Sequence, residues 1–285
     1  MNKKNILAGV FGAAMCLALG SCVNNNGSND QRLYYPLSNC FAIVTDMSDG
    51  SMKAIKGVNY NLDLNITKST AEVGITGLEL PDGAKYPGID LSGLRVATDK
   101  NWTVVTAANP GVEVAGFGVK PTFSTFKLQI LDRVVGQAYV PSLAISYDMN
   151  EHYHVFSSLS GQIVTGTSVA TAQNGSEFEN NSALIGLSFD VETMKVIIEL
   201  PASQFAAGMP AQNIVFKDVP FIISRNGIAN ISVDNLTPFI GETPYPNFPI
   251  TNLQGVYDFV GGLTLNFTCT LGPAPYDVVI TAKQS

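Results

Sequence analysis

Apolar and polar residues alternate with a period of two along most of the chain. In YNLDLNI (60–66), Tyr60, Leu62, Leu64 and Ile66 fall on one face, and Asn61, Asp63 and Asn65 on the other. KLQIL (127–131), SLAISY (142–147), LTLNFTCTL (263–271) and YDVVITA (276–282) behave similarly. Successive strand residues point to opposite faces, so this pattern predicts half-buried β-strands. β-branched and aromatic residues fill the runs, and Gly, Asn, Asp and Pro punctuate them. A sustained 3.6-residue period appears nowhere. The best helical candidate, ASQFAA (202–207), offers one or two turns. The prediction is an all-β protein.

The strand blocks come in two similar sets. Ile43-Val44-Thr45 opens a stretch that closes on Glu79-Leu80-Pro81, and Ile163-Val164-Thr165 opens one that closes on Glu199-Leu200-Pro201, 120 residues later both times. Between these anchors, LDLNITKSTAEVGI (62–75) matches IGLSFDVETMKVII (185–198) with a small internal shift. YPGIDLSGLRV (86–96) then pairs with MPAQNIVFKDVPF (209–221), and SLAISYDMNEHYHVF (142–156) with LNFTCTLGPAPYDVV (265–279). Four blocks in one order, offset by 120 to 125 residues, predict a tandem duplication. Residues 34–158 and 159–285 are the expected copies, each with eight or nine short strands. Such a unit closes its own core as an antiparallel sandwich or a small calycin-like barrel.

The amino-terminal segment reads as an address. Lys3 and Lys4 precede an uncharged apolar run, Ile6 to Leu19. A membrane-spanning helix needs about 20 apolar residues, so this run fits a secretory signal instead. It ends on Leu19-Gly20-Ser21-Cys22, which resembles the bacterial lipobox: an aliphatic residue, two small residues and a cysteine. The resemblance implies a signal peptide over 1–21 and lipidation of Cys22, with 22–33 as the lipidated cysteine and a flexible polar tether. Several acyl chains make a lasting anchor where one is marginal. Val23, not Asp, follows the cysteine, which implies the outer membrane. Bacteroides-group lipoproteins exported to the cell surface carry a strongly acidic stretch here, whereas this tether has only Asp30, so the periplasmic and the outer side both stay open. The lipobox, the two-copy β pattern and the ELP punctuation together resemble the uncharacterised tandem-domain lipoproteins of Bacteroides-type bacteria. That resemblance implies location and fold class.

Composition sharpens the picture. Charged residues make up 14% of the chain, against roughly 25% in average domains. Without Lys3 and Lys4, 14 basic residues face 23 acidic ones. No Lys/Arg cluster is present, which excludes nucleic acid as a partner. Cys40 and Cys269 remain after processing, and an oxidising envelope permits either a bridge or two buried thiols.

Candidate chemistry is sparse. The two histidines, His152 and His154 in EHYH, would share a strand face, with Asp148 joining them if the strand ran through Asn150. Two imidazoles and a carboxylate can hold zinc. Against this, DMNE reads as a turn, and the second copy has Pro275 and Asp277 at the matching positions, so an exposed polar strand face is expected instead. A Ser-His-Asp site would need one of these histidines. G-x-S-x-G, H-E-x-x-H and P-loop motifs are absent, and Glu242 and Asp258 lack any telling spacing as a glycosidase pair. The chain is not expected to be an enzyme or to need a cofactor.

The most unusual stretch is TPFIGETPYPNFPI (237–250), with four prolines and the aromatics Phe239, Tyr245 and Phe248. Proline pre-orders a loop, and aromatics on it bind at low entropic cost, so they are candidate ligand-binding residues. Trp102, the lone tryptophan, is another, although its alternating run NWTVVTAA favours burial. The leading expectation is a lipid-tethered binding module for a glycan, a protein or a small apolar ligand. The alternative is a fimbrillin-like structural or adhesive subunit, with a detachable strand near 33–46 and Arg32 as a cleavage point. A hydrolase ranks third. The oligomeric state is not readable.

Overall fold

The computed structural model describes residues 30–116, 120–135, 138–271 and 274–284. Cys22, the expected signal peptide and the expected tether up to residue 29 lie outside the described residues. Strands and turns account for the structure. No helix occurs among the described residues, and ASQFAA, the helical candidate, is the end of a strand and a turn that buries Phe205.

The chain forms two compact units that divide between Ser160 and Gly161. The first is built from eight strands: β1 (Arg32–Asp46), β2 (Met52–Asn65), β3 (Thr70–Thr76), β4 (Ile89–Asp99), β5 (Trp102–Ala108), β6 (Phe123–Leu131), β7 (Ser142–Met149) and β8 (Tyr153–Leu159). Each pairs antiparallel with the next, and β8 returns to β1 through Cys40↔Leu159 to Asp46↔Tyr153. The result is a closed up-and-down barrel, not a sandwich. The second unit repeats it with β9 (Gly161–Ala172), β10 (Glu177–Asp190), β11 (Lys195–Ser203), β12 (Gln212–Ile223), β13 (Ile228–Leu236), β14 (Ile250–Asp258), β15 (Gly262–Leu271) and β16 (Ala274–Lys283). Here β16 closes on β9 from Thr165↔Lys283 to Ala172↔Tyr276. In both barrels the fifth strand breaks at a proline, Pro110 or Pro238, and resumes against the fourth strand, at Gly111–Val114 or Phe239–Ile240.

Alternation decides which residues fill each barrel. On β2, Val58, Tyr60, Leu62 and Leu64 point inward and are buried; Ile66, expected to follow them, falls in the next turn and is exposed. An eight-stranded barrel is just wide enough for side chains to fill. In the first barrel, the Tyr60 and Tyr147 hydroxyls meet at 3.4 Å, and Tyr147 packs on Phe123 and Phe126 with centroids 5.3 and 5.9 Å away. In the second, Phe189, Tyr257 and Phe259 pack within 5.6 Å of one another, and Phe267 meets Phe205 and Phe216. The Tyr257 hydroxyl donates to Gln162 Oε1 and accepts from Gln284 Nε2, so its polar tip is satisfied inside the core.

The two barrels share strand order and turn positions, but the triplets that suggested a repeat do not fall at matching places. Asp49-Gly50-Ser51 and Asn174-Gly175-Ser176 form the first turns, Ser69 and Met194 take positive φ in the second, and Gly93 and Asp218 take positive φ in the fourth strands, each pair 125 residues apart. Ile43-Val44-Thr45 ends β1, whereas Ile163-Val164-Thr165 begins β9. Glu79-Leu80 leaves β3, whereas Glu199-Leu200 lies inside β11. The observed offset of 125 residues lies within the 120 to 125 expected from the four blocks, and the 120-residue spacing of the two triplets is a coincidence of short identical words. Turn geometry carries the true correspondence.

Cys40 and Cys269 are both buried and both free thiols, one in each barrel. The segment 33–46, expected to detach in a strand-exchange assembly, is β1. Its Cys40–Asp46 half is hydrogen-bonded to both β2 and β8. Arg32 begins that strand and pairs with Asp63 at 2.8 Å.

A candidate groove on the first barrel

The residues singled out from the sequence do not come together. Trp102 opens β5 and is buried in the first barrel. The aromatics of 237–250 belong to the second. Phe239 and Ile240 pair with Pro244 and Thr243 as a short hairpin, laid along β12 through Ile214↔Ile240 and Val215↔Phe239. Phe248 is buried and Phe239 half-buried, while Tyr245 is exposed. This loop thus mostly covers the barrel wall. Asp258 lies at the other end of β14, where its carboxylate accepts from the Val260 N–H, so Glu242 and Asp258 form no pair.

The histidines separate as well. His152 lies in the turn before β8, its ring against Tyr153, and His154 lies on the strand. Cross-strand register sets Asp148 opposite His154, and Asp148 Oδ1 lies 2.6 Å from His154 Nδ1. Asp148 Oδ2 accepts from the Thr125 hydroxyl. No group of three metal-ligating side chains occurs among the described residues.

The structure presents a different site. An open groove of about 440 Å³ runs across the outer wall of β1 to β4. The outward residues of adjacent strands build it in two rows. One row is Tyr34, Asp63 and Glu72, directly opposite one another on β1, β2 and β3. The other is Asn61, Gly74, Asp90 and Glu113, on β2, β3, β4 and the resumed fifth strand. Ser92 completes the rim. Gly74 supplies the hollow: a Cβ there would meet Asp90 Oδ1 at 3.2 Å and Asn61 Cβ at 3.7 Å. Tyr34 is 42% exposed and lines the groove.

Charge makes the groove unusual. Asp63 faces Glu72, and Asp90 faces Glu113, and like charges directly opposite destabilise a sheet. Arg32 relieves Asp63 alone. Among the described residues no hydrogen bond or ion pair relieves Glu72 or Glu113.

The second barrel shows that the fold does not require this arrangement. Register places Gly161, Gly186, Ser188 and Ile197 where the first barrel has Tyr34, Asn61, Asp63 and Glu72. Glu199, Val215 and Phe239 replace Gly74, Asp90 and Glu113, and Lys217 replaces Ser92. There the wall is filled. Lys217 Nζ lies 4.1 Å from the Phe239 ring centroid and 3.2 Å from Glu242 Oε2. Burial first, and then Glu242, pushes the Glu199 carboxyl above its ordinary range, while Lys217 opposes the shift.

The groove escaped sequence reading because its residues come from five segments and look like ordinary solvent-facing polar positions. One local signal existed: Gly74, an isolated glycine inside a strand pattern, marks a close approach or a deliberate gap. No protein-family model matches this chain, and no curated protein matches its sequence.

Proposed function

We propose that this protein is a lipid-anchored binding protein of the outer membrane that holds a glycan in the groove of its first barrel. The observation that carries this reading is the contrast between the two barrels. At equivalent positions one barrel leaves an open hollow lined by carboxylates of which Arg32 relieves only Asp63, and the other fills it with a charged pair and an aromatic side chain. The lining suits a hydroxyl-rich ligand. The Tyr34 ring offers a flat apolar face, Asp63, Glu72, Asp90 and Glu113 offer acceptors, and Asn61 and Ser92 offer donors as well. All stand on paired strands of the barrel wall, so little ordering is needed on binding. The packed aromatic interiors favour this outer wall over an apolar ligand held inside. The anchor rests on the lipobox-like ending at Cys22.

Two experiments test this reading. A glycan array probed with the processed protein should show saturable binding to at least one oligosaccharide class, weakened about tenfold by Tyr34→Ala and unchanged by Tyr245→Ala. Absence of binding across the array, or a Tyr34→Ala protein that binds as well as the native one, overturns the glycan assignment. Metabolic labelling with a fatty acid should tag the native protein and not Cys22→Ala, and an unlabelled native protein overturns the anchor. Protease shaving of intact cells then assigns the side of the membrane.

A further inference from the structure

We infer, resting on the anchor proposed at Cys22 and not on the glycan reading, that the first barrel seats one end on the lipid surface that holds this cysteine. That end is the one at which the chain enters. Strand registers collect there the start of β1, the β2–β3 turn, the β4–β5 turn, the end of β6 and the start of β7. The entering chain is clamped to it. The Gln31 N–H donates to Thr67 Oγ1 at 2.9 Å, and the Ile66 N–H donates to the Gln31 carbonyl at 2.9 Å. The Asp30 carboxylate accepts from Asn65 Nδ2 at 3.2 Å and from Lys68 Nζ at 2.5 Å. Cys22 lies eight residues before Asp30, so even a fully extended chain sets the two at most about 28 Å apart. β2 runs for 14 residues from the opposite end of the barrel to this one. At about 3.3 Å per residue and a strand tilt of about 40°, the two ends are about 35 Å apart along the barrel axis. The opposite end therefore cannot touch the surface while Cys22 stays in it.

The side chains at the clamped end suit a headgroup boundary. Val134 is 72% exposed, Tyr139 39% and Ile66 38%. Val134 and Tyr139 face each other across a short two-stranded ladder. The Tyr35 and Tyr139 hydroxyls both donate to the Asp132 carboxylate, which fixes that ladder to β1. Lys68 and Lys100 stand exposed in the two turns of this end. Methyl groups and a tyrosine ring leave water at such a boundary, while lysine ammonium groups meet lipid phosphates. The opposite end also exposes apolar groups, Met47 and Met52, but sets them among Asp46, Asp49, Asp82 and Glu151, which an anionic surface repels. Seated this way, the barrel holds the Tyr34, Asp63 and Glu72 row of the groove nearer the headgroups than the Gly74 row.

Quenching of a site-attached fluorophore tests this. The full-length acylated protein is reconstituted in vesicles of phosphatidylethanolamine and phosphatidylglycerol that carry a headgroup nitroxide. Introduced thiols alone take the label, since Cys40 and Cys269 are buried and the anchor occupies Cys22. A label at Asn101→Cys, in the β4–β5 turn, should be quenched about twofold more than one at Met47→Cys. Adding Val134→Asp should remove most of that excess, whereas a tether that only held the barrel near the surface would leave it unchanged. A protein that floats with the vesicles yet shows equal quenching at both labels, or an excess that survives Val134→Asp, overturns the lipid-facing end and leaves the anchor standing. A protein that does not float with the vesicles overturns the anchor, and this proposal with it.

Discussion

Gly74→Ala should make the first barrel more stable while it makes the groove shallower. Glycine inside a strand costs about 0.5–1 kcal/mol relative to alanine, because the unfolded chain loses more freedom. Gly74 has no positive φ, so alanine brings no backbone strain. The new methyl would sit 3.2 Å from Asp90 Oδ1, the end of an exposed side chain that can turn away, and 3.7 Å from Asn61 Cβ, an ordinary contact. The expected balance is a gain of up to about 1 kcal/mol, or roughly 2–5 °C in melting temperature for a barrel of this size. The lone tryptophan makes the measurement specific. Trp102 is buried in the first barrel, so its fluorescence follows that barrel's transition in the intact chain. Gly77→Ala is the control: φ there is +77°, and a Cβ would lie 2.8 Å from the Gly57 carbonyl oxygen, so this variant must lose stability. A loss above about 1 kcal/mol for Gly74→Ala refutes the reasoning, because the glycine would then serve the packing of the wall and not the groove.

Leu62 and Leu187 occupy equivalent inward positions, both fully buried, and replacing either by alanine should cost about 2–5 kcal/mol. Leu62→Ala should move the Trp102 fluorescence transition, whereas Leu187→Ala should move only the transition seen by circular dichroism after that signal is separated. Burial pushes the Cys269 thiol up to about 12 and the Cys40 thiol higher still, from an ordinary 9.0. Both should stay unreactive to a thiol reagent at pH 8 until the chain is unfolded, and rapid labelling of the native protein would contradict their burial. Unfolded thiols release protons first, so stability from the buried thiols is complete below pH 9 and declines as pH rises toward 12. Urea unfolding at pH 8 and pH 11 should show that loss, and Cys40→Ala with Cys269→Ala should reduce it.

The groove and the fold differ in how far they can be read from residue order. Period-two alternation placed Tyr60, Leu62 and Leu64 correctly, because a strand's two faces are set by its own backbone geometry. The turns carried reliable punctuation as well, since Gly50 and Gly175 supply the positive φ that those turns require. Identical triplets misled, because IVT and ELP say that a strand is present and nothing of its register. The burial of Trp102 agrees with its alternating run, whereas that of Phe248, a candidate for a binding surface, is decided by neighbours remote in sequence.

From the sequence alone came the strand content, the inward-facing residues, the tandem organisation and the expectation of an address ending at Cys22, because each depends on local pattern or composition. Closure into barrels, the choice of 125 within the expected offset of 120 to 125 residues, and the pairing of His154 with Asp148 and not with His152 were decided by tertiary structure. So was the groove itself. Its carboxylates face one another only because hydrogen-bond registers between β1, β2, β3, β4 and the resumed fifth strand bring them there, and register is a property of pairs of strands that no single segment encodes.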